Sequence, residues 1–153
     1  MLFGRPPIRR ISHDRYAVNL GDQERSLLSS LAEQLTELLG NPDEPGLHRL
    51  FPPAYQGVEN MEHNDDYRRL MTDELADNHR QALATLATSA QATELTADQL
   101  DAWMRALNQL RLTLGTRLEV SADHQIDGTS VEGQIYEFLT GIQGMVIDAL
   151  AEE

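Results

Sequence analysis

The sequence predicts a mainly α fold: a bundle of about four helices, with a short N-terminal strand and a proline-rich loop. Three observations predict it. Four stretches carry apolar residues at alternating spacings of three and four, the period of one helix face. Two capping boxes mark helix starts. One short run alternates with the period of a strand.

The elements follow in order. Residues 1–14, with Arg5, Arg9 and Arg10, read as a basic, flexible leader ahead of a single helical domain over 15–153. Tyr16, Val18 and Leu20 alternate with Ala17 and Asn19 and give the strand. Gly21-Asp22 supplies a turn and an N-cap. Leu28, Leu31, Leu35 and Leu38 then form a helical stripe flanked by Leu27 and Leu39. Gly40-Asn41-Pro42 stops that helix, since proline cannot continue it. The loop over 41–60 holds four of the six prolines, and its LHRLFPPAY segment is apolar enough to pack over the core.

Asn60 or Asn64 can cap a long second helix reaching about Ala90, with Tyr67, Leu70, Met71, Leu75, Ala82, Leu83 and Leu86 on its apolar face. Thr96 with Gln99 is the first capping box and opens a third helix ending between Gly115 and the 121–128 loop. Thr129 with Glu132 is the second, ahead of Val131, Ile135, Phe138, Ile142, Met145 and Ala149. Gly133, Gly141 and Gly144 each cost that last helix about 1 kcal/mol relative to alanine. They predict a helix that is stable when docked, approached closely by a neighbour.

Composition narrows the function classes. A chain of 153 residues is one domain with one core. No apolar run approaches the roughly 18 residues of a membrane span, and no secretory h-region follows the first arginines. A cytosolic protein is expected. Twelve basic residues, all arginine, face twenty-five acidic ones, for a net charge of −13. Residues 1–15 carry +3 and the remainder −16. Such a body repels phosphate backbones, so direct DNA binding is expected only through residues 1–15. With no cysteine there is no disulfide, no thiolate metal site and no thiol switch.

Catalytic and metal motifs are missing at the sequence level. A di-iron bundle needs Glu-x-x-His on one helix face; here Glu62 adjoins His63 and Glu74 lies five positions from His79. There is no HExxH, GxSxG, GxGxxG or phosphate loop. No cofactor and no enzymatic activity are expected. His79 sits at the edge of the second helix's stripe and reads as a hydrogen-bonded boundary residue.

The third helix carries the sharpest local signals. On a wheel, Leu100, Trp103, Leu107, Leu110, Leu114 and Leu118 cluster on one arc, and Arg111 falls at its edge. A guanidinium there must snorkel or pair with a carboxylate; Arg111, Arg117 and His79 are therefore expected as structural ion-pair members or ligand anchors. Leu112 points nearly opposite the arc, beside Arg105. Either the helix is covered on both sides, or Arg105, Asn108 and Leu112 form a partner surface.

The run DAWMRALNQLRLTLGTRLEV is similar to the signature helix of an actinobacterial family of small acidic helical proteins. That family, formerly a domain of unknown function, is named for oxidative-stress transcriptional regulators (AosR-like). YAVNL, LFPPAY, YRRLMTDELADN and IYEFLTGIQGMVIDAL match in the family's order, over most of residues 10–150. The resemblance implies a cytosolic regulator working through protein contacts with a sigma factor or the transcription machinery. It carries no catalytic residue, and a cysteine-pair redox switch cannot operate in this chain. The alternatives are a small-molecule binding protein or minor enzyme with a pocket between helices, anchored by Arg111 and His79, and a homo-oligomer, a dimer being the simplest case.

Overall fold

The computed structural model describes residues 6–41, 47, 50, 61–121 and 130–152; the side chains of 61–65, 67, 68 and 117–121 lie outside that description. Its elements run β1 (Ile8–Ser12), β2 (Arg15–Val18), α1 (Asp22–Leu38), α2 (Met61–Ser89), β3 (Glu94–Thr96), α3 (Ala97–Ser121) and α4 (Val131–Ala151). Among the described residues the fold is mainly α, with four helices and a three-stranded antiparallel sheet in the order β1-β2-β3.

The sheet corrects the reading of the N-terminus. Residues 8–12 form a strand rather than part of a flexible leader. Ile8 pairs with Val18, Arg9 with Ala17 and Arg10 with Tyr16, and a bulge between Arg10 and Ser12 shifts the register. That bulge is why alternation was hard to see: Ile8 is buried while Ile11 stands out to solvent. The outer edge of β1 is tied to the end of α4. Arg10 N donates to Glu152 Oε2 at 2.7 Å, and Arg10 Nη1 donates to Glu152 O at 2.9 Å. A cation at the carboxyl end of a helix is favourably placed against its dipole.

On its other edge β2 pairs with β3, Tyr16 opposite Leu95. Ile8, Tyr16, Val18 and Leu95 are buried together beneath the helices. The β1–β2 turn also serves a distant element, because Asp14 Oδ1 accepts from Ala97 N at the start of α3. The Thr96–Gln99 capping box forms as expected: Gln99 Oε1 accepts from Thr96 N at 2.9 Å, and Thr96 Oγ1 accepts from Gln99 N at 3.1 Å.

α3 is the central helix, packed on α2, α4, α1 and the sheet. Besides the expected arc of Leu100, Trp103, Leu107 and Leu110, α3 buries Ala102, Ala106, Gln109 and Thr113, while Leu112 packs partly against the core. In α2 the expected stripe holds from Ala82 to Leu86, but Leu70 is 57% exposed. On α4, Gly141 and Gly144 are exposed, and a Cβ at either would meet nothing within 4 Å among the described residues. Their expected close neighbour is therefore not found within the described chain.

One buried group was not anticipated. Arg25 continues the α1 stripe of Leu28, Ala32, Leu35 and Leu39, and is 6% exposed. Its guanidinium donates to four backbone carbonyls: Leu20 O at 3.0 Å, Ala90 O at 2.9 Å, Ala92 O at 2.6 Å and Val18 O at 2.8 Å. The fork of arginine donors suits such a cluster, and an unpaired cation there would be prohibitive. Arg25 thereby joins the end of β2 and the start of α1 to the α2–β3 connection.

Candidate functional site

Four of the residues singled out from the sequence converge on one groove between α2 and α3. From α3, the spacing of Arg105, Asn108, Gln109 and Leu112 places all four on one side of the helix. Facing them on α2 are Asn78 and His79, and Leu50 closes part of the wall. The groove encloses about 500 Å³ and opens to solvent. Arg105, Asn108 and Asn78 are exposed, Leu112 and His79 are half-buried, and Gln109 is 7% exposed.

The walls differ in how firmly their groups are held. Arg105 Nε donates to Asp101 Oδ2 at 3.2 Å, one turn earlier on the same helix, with both side chains more than half exposed. Such a pair contributes little and leaves the guanidinium open to exchange partners. His79 Nε2 lies 3.2 Å from Leu50 O, so the carbonyl accepts and Nε2 carries the proton. Burial lowers the His79 pKa from 6.5, and the hydrogen bond to Leu50 opposes that shift. Gln109 is the exception: its Oε1 is buried and has no hydrogen-bond partner among the described residues.

Arg111 is not part of this groove. It faces α4, where its Nε donates to Thr140 Oγ1 at 3.0 Å and its Nη1 donates to Gln143 Oε1. The guanidinium also lies 5.3 Å from the Tyr136 ring centroid, a cation–π distance. The expected ion pair is corrected: the partners of Arg111 among the described residues are neutral. A guanidinium at a half-buried boundary can be satisfied by amide and hydroxyl oxygens, which carry no desolvation cost of a second charge. The Arg117 side chain lies outside the described residues. His79 and Arg111 therefore do not share a pocket.

Sequence reasoning missed Gln109 because an amide on a wheel between Arg105 and Leu112 looks like ordinary surface polarity. The signal available was its spacing: Ala102, Ala106, Gln109 and Thr113 run at four-three-four down a second buried face. Elsewhere among the described residues no three His, Asp or Glu side chains gather as a metal set. No helix among them is long and apolar enough to cross a membrane.

Comparison with known proteins agrees in one direction. A protein of Mycobacterium leprae (strain TN) named for the oxidative stress regulator AosR is 32% identical over 134 residues, covering 71% of this chain and 59% of that protein. "Oxidative stress regulator AosR" of Mycobacterium tuberculosis (strain ATCC 25618 / H37Rv) and of Mycobacterium bovis (strain ATCC BAA-935 / AF2122/97) are each 29% identical over 146 residues, 78% of this chain and 67% of theirs. The chain thus spans about three fifths to two thirds of these relatives. No solved structure matches it. The profile of the family described as Domain of unknown function (DUF2017) matches residues 7–150, and this chain belongs to that family.

Proposed function

We propose that the chain is a non-enzymatic regulatory or adaptor protein that docks a protein partner on the α2–α3 groove around Arg105, Asn108 and Leu112. The observation that carries this reading is the convergence of those residues with His79, Asn78 and Gln109 on one open, mixed polar and apolar face. Relatives named as oxidative stress regulators support a regulatory role. The resemblance read in the sequence adds the finer proposal: the partner belongs to the transcription machinery, a sigma factor being the leading case, and the chain acts in the cytosol. A net charge of −13 favours protein over nucleic acid as the contact. Direct DNA contact through residues 1–15 is further weakened because the Arg10 guanidinium is spent on Ser12 O, His13 O and Glu152 O. Without cysteine in the sequence, a response to oxidants does not run through thiols of this chain.

The test is a photo-reactive residue placed at Asn108, with a control at the exposed Glu137 on α4, in cells of the organism of origin. A sigma factor or polymerase subunit crosslinked from position 108 and not from 137 is the expected result. Equal adducts from both positions, or none containing a transcription component, would overturn the reading. The small-molecule alternative loses its paired anchors, since Arg111 is committed to Thr140, Gln143 and Tyr136.

A further inference from the structure

We infer that Arg105 receives a carboxylate in the α2–α3 groove, presented by an acidic side chain of the docking partner and held by the open fork of the guanidinium. The inference rests on the docking reading above and names the group that the partner brings.

The starting point is how each arginine is engaged. Arg10, Arg25 and Arg111 place Nε and at least one terminal nitrogen on protein oxygens. Arg80 uses both terminal nitrogens, on Asp77 Oδ1 and Leu39 O. Arg105 differs from all four. Its Nε donates to Asp101 Oδ2 at 3.2 Å, while neither Nη1 nor Nη2 donates to an oxygen among the described residues. Asp101 therefore holds the guanidinium by one edge and leaves another edge, the fork of the two terminal nitrogens, open. A carboxylate matches that fork with two parallel hydrogen bonds, and one guanidinium accommodates carboxylates on separate edges.

The groove also has the right sign. The chain has twenty-five acidic residues against twelve basic ones, yet no acidic residue lines the groove and Arg105 is its one arginine. Burial favours the neutral form of His79, and its Nε2 is already engaged by Leu50 O. Asn78 and Asn108 place carboxamides on the two walls, with N–H groups that can donate to the same carboxylate. The acidic body opposes an anion at long range, but screening confines that repulsion to about 8 Å at physiological salt. The contact is decided closer in. A nucleic-acid strand would meet the rest of the acidic body as well, which a single carboxylate on a protein surface does not. A free carboxylate would stay largely uncovered, because Asn78, Arg105 and Asn108 are exposed. The surrounding contacts of a protein partner supply that cover.

The experiment uses the full chain in two arms. In the first, acetate is titrated against chloride at constant ionic strength, with phosphate as a second probe, while the Nε–Hε signals of Arg105 and Arg80 are followed by NMR. A saturable millimolar response at Arg105, at least fivefold larger than at Arg80, is expected. A response no larger than that to chloride, or equal at the two arginines, overturns the inference. Phosphate bound at least tenfold more tightly than acetate would replace the carboxylate with a phosphoryl group. In the second arm, Arg105→Gln, Arg105→Lys and the control Arg80→Gln are each combined with the photo-reactive residue at position 108, which removes only a neutral donor. Arg105→Gln should cut the partner adduct at least fivefold at unchanged Tm, Arg105→Lys should fall between, and Arg80→Gln should leave it as it was. Should a variant lose Tm, the acetate titration of the wild type decides. An adduct equally abundant from Arg105→Lys would reduce the fork to a point charge and overturn the geometry. One equally abundant from Arg105→Gln leaves the docking function standing and sinks this inference. Acetate binding at Arg105 with no adduct from position 108 overturns the docking reading instead, and with it the partner as the source of the carboxylate.

Discussion

The same two helices, α2 and α3, are joined in opposite ways beside the β3 connection and midway along their length. Near the β3 connection every buried polar group identified is satisfied. Arg25 closes four carbonyls from the end of β2, the β2–α1 connection and the α2–β3 turn. Trp103, fully buried, donates through Nε1 to Ser89 Oγ at 2.7 Å, and Ser89 in turn donates to Thr85 O. A few turns away, beside His79 and Asn108, the helices leave a groove with Gln109 Oε1 unpartnered. The lesson is that polar burial serves stability beside the β3 connection and is left incomplete at the groove wall.

That contrast can be broken by substitution. The largest effect is expected for Arg25→Ala, which orphans carbonyls on both sides of the junction. Unfolding in urea, followed by Trp103 emission, should show a loss of about 3–5 kcal/mol; a loss below about 1 kcal/mol would mean that water replaces the guanidinium and the junction is not closed. Trp103→Phe comes next. It removes the bond to Ser89 and leaves a small void, and helical ellipticity should report about 1–2 kcal/mol of destabilisation.

At the open end the effects shrink. His79 has a folded pKa below its unfolded value of 6.5, so protonation favours the unfolded state. Its contribution is fully present above pH 6.5 and is lost as pH falls through the folded value. Measured against His79→Asn, the wild type should lose stability from about pH 7 downward. A difference independent of pH would show that the ring is not desolvated. Smallest is Asp101→Ala, which releases Arg105 from an exposed pair. Thermal unfolding should move by less than about 0.5 kcal/mol, and a larger change would mean the groove rim is structurally held after all.

Much of the fold was legible because it rests on periodicity. The stripe from Leu28 to Leu39, the arc from Leu100 to Leu110 and the Thr96–Gln99 box each declare a helix by local spacing alone. β3 was not legible: Glu94-Leu95-Thr96 is too short to alternate, and it becomes a strand by pairing with β2, nearly eighty residues earlier. β1 was hidden by its bulge. The two arginines make the same point. Arg111 drew attention beside a leucine arc yet lies half-buried among neutral oxygens. Arg25, in register with the α1 stripe, is the deeply buried cation. A wheel shows which face a residue takes, but not which carbonyls the rest of the chain will bring to it.

By itself, then, the sequence determined the helical architecture, the acidic surface and the absence of thiol chemistry, since these follow from local spacing and composition. The tertiary structure decided what α3 is: a central helix, with Leu112 half-covered against the core. It also brought Arg105, Asn108 and Leu112 together with Asn78, His79 and the unpartnered Gln109. The physical reason is that hydrogen-bond satisfaction depends on groups remote in the chain. Whether a polar side chain is closed like Arg25 or left open like Gln109 is settled only when those groups meet.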